Sequence, residues 1–186
     1  MPDTLPPART SAEAHLFLAL QPCPACGETR CEFRGSVVYV GDVLASRYVG
    51  ACPRCGAERI HQFRLPDEIV PPPADSVRFG GPEPSALIDP GVWLWYSDTT
   101  AERVPEHASG PYPESTGRAL STALAAVDEV LKFIPPDGDR VPAEAFTSLD
   151  GRALYAREPG RFSRLRLTAI RDHYAQRLAR GANGAD

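Results

Sequence analysis

Lysine is all but missing from this chain: of 20 basic residues, 19 are arginine and Lys132 stands alone. Against 24 acidic residues they leave a formal charge of −4. That balance excludes a general nucleic-acid-coating protein, though not a local basic patch. The arginine bias reads as that of a GC-rich bacterial genome. No run approaches the roughly 18–20 apolar residues that cross a bilayer. The most apolar N-terminal stretch, His15 to Leu20, is short and lacks both a basic leader and a small-residue cleavage site. A secretory signal is therefore not expected, and a cytoplasmic setting is. Also missing are G-x-G-x-x-G, the P-loop, H-E-x-x-H and G-x-S-x-G. The four histidines, His15, His61, His107 and His173, fall on separate predicted elements. No catalytic residue is assigned, and the chain reads as non-enzymatic.

What is present is enough for a folded molecule. Hydrophobic residues make up 42% of the chain and charged residues 24%, ordinary shares for a globular protein. The 20 prolines predict irregular connectors between short elements. In a reducing compartment, five cysteines read as metal ligands or free thiols before they read as disulfides. Four of them form two knuckles of the pattern C-P-x-C-G, Cys23-Pro24-Ala25-Cys26-Gly27 and Cys52-Pro53-Arg54-Cys55-Gly56. A two-residue gap lets both sulfurs of a knuckle reach one ion, and the following glycine tolerates positive φ. Two knuckles supply four soft ligands, the closed set of a structural metal site. Zinc is the commoner occupant, and iron uses the same four-sulfur geometry. A single-knuckle redox centre fits poorly, because it needs one CxxC at a helix start.

On these knuckles, residues 20 to 66 resemble a zinc ribbon, in which hairpin turns carrying the cysteines are clamped by antiparallel strands. The resemblance implies one structural Zn2+ held by Cys23, Cys26, Cys52 and Cys55. The sequence between the knuckles agrees: Glu32–Val40 is rich in aromatic and β-branched residues, Gly41-Asp42 is a turn, and Leu44–Ala51 a return strand. Arg59–Leu65 alternates polar and apolar and predicts the third strand. Cys31 reads as a small buried strand residue and His61 as a structural strand histidine; either could also replace a ligand, and Cys31 could be a redox-active thiol.

The expected fold class is therefore α+β: an N-terminal three-stranded antiparallel zinc ribbon followed by a mainly α-helical domain. Residues 1–66 would hold a short helix over 11–20, capped by Ser11, and then the ribbon. Residues 67–86, rich in proline and glycine, predict a surface linker. Residues 87–181 would form the helical domain and 182–186 a disordered tail. Within that domain, Asp89-Pro90 is a cap followed by proline at the first helical position, opening a helix with Trp93, Trp95 and Tyr96. Leu120, Leu124, Val127, Leu131 and Ile134 mark a helix over 115–134. A last helix from Arg161 to Ala179 would bury Phe162, Leu165, Ala169, Ile170, Tyr174 and Leu178.

Charge is uneven: from Arg140 onward nine arginines face five acids, and Arg157, Arg161, Arg164, Arg166 and Arg171 crowd the last helix. These residues either pair internally or form a surface for an acidic partner. The segments Leu87–Gly91, Gly151–Tyr155 and Glu158–Phe162 resemble small bacterial proteins, some of them similar to immunity proteins that neutralise polymorphic toxins. That resemblance implies a non-enzymatic zinc protein that binds another protein, such as a toxin. The alternative is a nucleic-acid-binding or transcription-related ribbon.

Overall fold

The computed structural model describes residues 5–67, 77–105 and 112–183. It divides into two compact units, Met1–Val70 with Ser85–Leu87 and Pro71–Pro84 with Ile88–Asp186.

The first unit carries helix α1 (Ser11–Leu20) and strands β1 (Arg34–Val40), β2 (Val43–Ala51) and β3 (Glu58–Arg64). They form one antiparallel sheet in the order β1-β2-β3. The cap of α1 is Thr10, one residue before the expected Ser11. Thr10 is extended, at φ −147°, and its hydroxyl accepts the Glu13 N–H at 3.1 Å. Gly41, at φ 60°, makes the β1–β2 turn where the sequence placed it. Two-residue alternation puts Tyr48 opposite His61 and Ser46 opposite Phe63 on one face. Tyr48 and Phe63 close on Ala8, Ala14 and Leu18 to make a small core, flanked by Phe17, Phe33 and Leu87. Inside it sits a fully buried carboxylate, Glu13. Arg9 forks onto Glu13 at 2.6 and 3.0 Å, the Arg9 amide donates at 2.8 Å, and the Ser85 hydroxyl at 2.6 Å.

The second unit is helical: α2 (Pro90–Ala101), α3 (Glu114–Leu131), α4 (Leu149–Arg157) and α5 (Arg164–Asn183), with 3-10 turns at Ala143–Ala145 and Pro159–Phe162. Asp89 caps α2 as expected, its Oδ1 accepting from the Gly91 and Val92 amides. Its Oδ2 accepts the Ser148 amide at 2.7 Å, and the Ser148 hydroxyl caps α4. One carboxylate thus ties two helix starts together. The helices cross there on glycines: a Cβ on Gly91 would lie 2.4 Å from Gly151 Cα, and one on Gly151 would lie 2.3 Å from Asp89 Oδ1. Two of the three segments that suggested immunity proteins, Leu87–Gly91 and Gly151–Tyr155, therefore meet at this crossing.

Trp93 and Leu94 are fully buried, Trp95 is half exposed and Tyr96 is half-buried. On α3 the buried stripe is Leu120, Ala123, Val127 and Val130, with Leu124 and Leu131 only half-buried.

The last helix departs most from expectation. Pro159–Phe162 forms a 3-10 turn, so α5 starts at Arg164 and Phe162 is buried ahead of it. Leu165 is 81% exposed and Ala169 faces solvent, whereas Leu167 is fully buried. The helix continues to Asn183, past the expected start of the tail; residues 184–186 of that tail lie outside the described residues. Of the expected linker 67–86, residues 68–76 also lie outside them. Its described part supplies buried side chains to both units: Phe79 packs on Trp93 with centroids 4.9 Å apart, and Ser85 is the Glu13 donor. Of the proline-rich connector after α2, residues 106–111 lie outside the described residues. Among those described, no helix is long and apolar enough to cross a membrane.

Candidate metal centre

The first knuckle lies between α1 and β1, the second between β2 and β3. Both fold alike. The Cys23 amide donates to Glu28 O at 2.8 Å and the Cys52 amide to Ala57 O at 2.9 Å. The Gly27 and Gly56 amides return to Cys23 O and Cys52 O at 2.8 and 2.9 Å. The chain then reverses through left-handed backbone at the glycine, φ 75° at Gly27 and 74° at Gly56, and the Glu28 and Ala57 carbonyls come back to the cysteine amides. Positive φ in both turns is what favours glycine after the second cysteine of each C-P-x-C-G knuckle.

The β2–β3 pairing, which sets Ala51 opposite Glu58, holds the second knuckle across its turn. The four sulfurs converge, with Cys23 Sγ 3.7 Å from Cys55 Sγ and Cys26 Sγ 3.5 Å from Cys52 Sγ. All four lie within 4.8 Å of one another, and no disulfide joins them. Tetrahedral bonds of about 2.3 Å to a central ion place sulfurs roughly 3.8 Å apart, so the donor set fits a metal ion.

Electrostatics within the cluster point the same way. Burial raises the Cys52 thiol pKa, but the Cys55 and Arg54 amides and the Cys26 and Cys55 side chains outweigh it and bring it down to about 6. At Cys26 the Glu28 amide lowers the pKa, while burial and hydrogen bonds to the other three cysteines push it up to about 12. Thiols this close do not all ionise together without a cation among them. Arg54 Nη1 reaches from the second knuckle to the Cys26 carbonyl at 3.5 Å, and Arg30 is engaged by Glu28 at 3.3 Å.

The other two sulfur or nitrogen candidates stand apart from this group. Cys31 turns its Sγ to the Ala51 carbonyl at 3.5 Å. His61 lies among Phe17, Phe33 and Phe63, stacked on Phe63 at 6.4 Å. Burial, with the Arg59 charge adding to it, holds the His61 pKa below the ordinary value of 6.5. Arg59 was not marked as special by its strand pattern. It is buried, with Nη2 donating to Gln21 O at 2.9 Å and its guanidinium carbon 5.0 Å from the Phe33 ring centre.

The arginines around the last helix are largely engaged by groups of the chain itself. Arg161 grips Asp98 at 2.8 and 2.9 Å, Arg171 holds Asp128 at 2.7 Å, and Arg157 holds Glu158 at 2.9 Å. Arg164 donates to the carbonyls of Gly138 and Pro135 at 3.1 and 2.9 Å. Comparison with protein-family models, with curated proteins and with solved structures finds no match for this chain. The molecule is defined by its own features: a mixed α+β chain with a three-stranded antiparallel sheet, a four-cysteine cluster able to hold a metal ion, and a helical unit.

Proposed function

We propose that Cys23, Cys26, Cys52 and Cys55 hold one structural Zn2+, that the first unit is a zinc ribbon, and that the protein works by binding another protein. The convergence of four thiols carries this reading. Four sulfur ligands complete a tetrahedral shell and leave no position for water or substrate, so the ion staples the fold. When bound, it supplies folding free energy and no reaction step.

The partner surface is the β1–β2 hairpin. Val37 is 63% exposed and Tyr39 76%, with Val43 and Leu44 also exposed. Apolar residues grouped at a hairpin end form the kind of patch that associates with another protein. An immunity-type inhibitor seated on its toxin is one protein of this kind. The nucleic-acid alternative has weaker support, because Arg164, Arg171 and Arg177 of the last helix are engaged by groups of the chain itself.

Metal analysis of the purified protein should return one zinc per chain, and C23S or C52S should return none. Replacing Cys31 by Ser should leave the metal at one per chain. Iron in its place would correct the metal, and metal retained in both knuckle variants would overturn the site. For the partner, tagged protein captured from native lysate should keep one stoichiometric protein through high salt and nuclease, and V37D with Y39D should release it. A toxin as that protein supports the inhibitor reading. Nucleic acid held at low salt and lost at high salt would favour the alternative.

A further inference from the structure

In the second unit a cleft of about 930 Å3 opens beside α2, the Pro159–Phe162 turn and α5. Small-molecule sites run to roughly 300–1,000 Å3. Most charge on its walls is matched: Arg161 forks onto Asp98, and Glu158 is shared by Arg157 and Arg161.

Of the lining charges left without an ion pair among the described residues, Glu102 and Arg166 are exposed and Arg177 is buried. Its residue is only 6% exposed, and it lines the cleft. Nη2 donates to Val104 O at 3.3 Å and Pro105 O at 2.9 Å, just beyond the C-terminal end of α2, where carbonyl dipoles favour a cation. Nε is buried with no acceptor, and no carboxylate among the described residues pairs with the guanidinium. The unit's other buried charges are answered: Asp89 by three backbone amides and Glu129 by Lys132 at 2.5 Å. A buried guanidinium served only by carbonyls still lacks a counter-charge, and its planar donor edge matches a carboxylate. Ala101, Val104 and Ile170 give the same cleft an apolar wall.

The geometry points to a binding site in this cleft for the carboxylate of a small amphipathic organic acid, with its head group on Arg177 and its body along Ala101, Val104 and Ile170. One buried, unpaired guanidinium suits one carboxylate. Glu102, which lines the cleft with no ion-pair partner among the described residues, repels a dianionic phosphate more strongly than a monoanionic carboxylate. Arg166 lines it too, but lies eleven residues from Arg177, roughly 16 Å along the helix. It provides the control for diffuse attraction.

Titration of the full chain with sodium butyrate, followed by amide NMR shifts, tests the site. Saturable shifts are expected at residues 101–104 and 170–177, with an affinity on the order of millimolar. Butyramide, isosteric and neutral, should bind about tenfold more weakly, and inorganic phosphate should compete poorly. Met at 177 removes an unpaired buried charge, so R177M should fold and lose the saturable response. I170W fills the apolar wall without touching the guanidinium and should block binding independently. R166A should bind as the parent does. Equal binding of butyramide, undiminished binding by folded R177M or by I170W, stronger binding of phosphate, loss of binding in R166A, or no saturable response to butyrate would each overturn the assignment.

Discussion

The two units reach stability by different means. Among the largest fully buried side chains of the described residues, Phe63, Leu18 and Glu13 belong to the first unit, and one of those three is a carboxylate. The second unit holds the other nine, including Trp93, Phe146, Phe162, Leu94, Leu120 and Leu167. Its rings interlock, with Phe146 centred 4.4 Å from Tyr155 and 4.8 Å from Phe162. A unit with one short helix and three strands buries too little apolar surface to stand on its core alone, and the proposed metal supplies what is missing. The helical unit needs no such staple. Metal dependence should therefore be confined to the first unit.

The largest effect tests this division. C52S should remove the metal and expose the amides of β1, β2 and β3 to hydrogen exchange, while α2, α3 and α5 keep their protection. Structural zinc sites contribute about 10–16 kcal/mol of apparent binding free energy, so the loss should be complete. Intact strand protection in metal-free protein would break the comparison.

The converse variant is W93A. It empties the centre of the second unit and should destabilise it by about 3–5 kcal/mol in denaturant unfolding, with metal content unchanged. G151A comes next. Its methyl group would run into the Asp89 carboxylate, and overpacking of that kind costs about 2–3 kcal/mol; it is read as a lower unfolding midpoint at full metal loading.

Back in the first unit, T10A deletes the α1 cap and should cost about 1 kcal/mol in thermal unfolding of the metal-loaded protein. The smallest effect concerns pH. Burial lowers the folded-state pKa of His61, so below about 6.5 the unfolded chain binds the proton more readily than the folded one. His61 therefore contributes stability above pH 6.5 that is lost as pH falls from there through the folded-state value. H61N should flatten that part of the stability curve for the metal-loaded protein. Parallel curves would remove His61 from the account.

Features governed by short-range geometry were legible in the sequence. The C-P-x-C-G knuckles, the Gly41-Asp42 turn and the Asp89-Pro90 helix start each depend on residues within about four positions. Legibility failed where distant segments decide. Leu165 and Leu167 are equally apolar, and only the 3-10 turn at Pro159–Phe162 sets which one faces inward. Arg177 broke the apolar pattern of α5 because its partners, the carbonyls of Val104 and Pro105, lie over 70 residues earlier. Phe79 sits in a proline-rich stretch with no periodicity to reveal its burial on Trp93. The cleft beside α2 and α5 has no sequence signature for the same reason.

The most direct test of the central claim is zinc-edge X-ray absorption on the protein as purified. Four sulfur neighbours at about 2.3 Å, with one zinc per chain, are the expected result. A shell containing nitrogen or oxygen, or protein folded in its first unit without zinc, would contradict it.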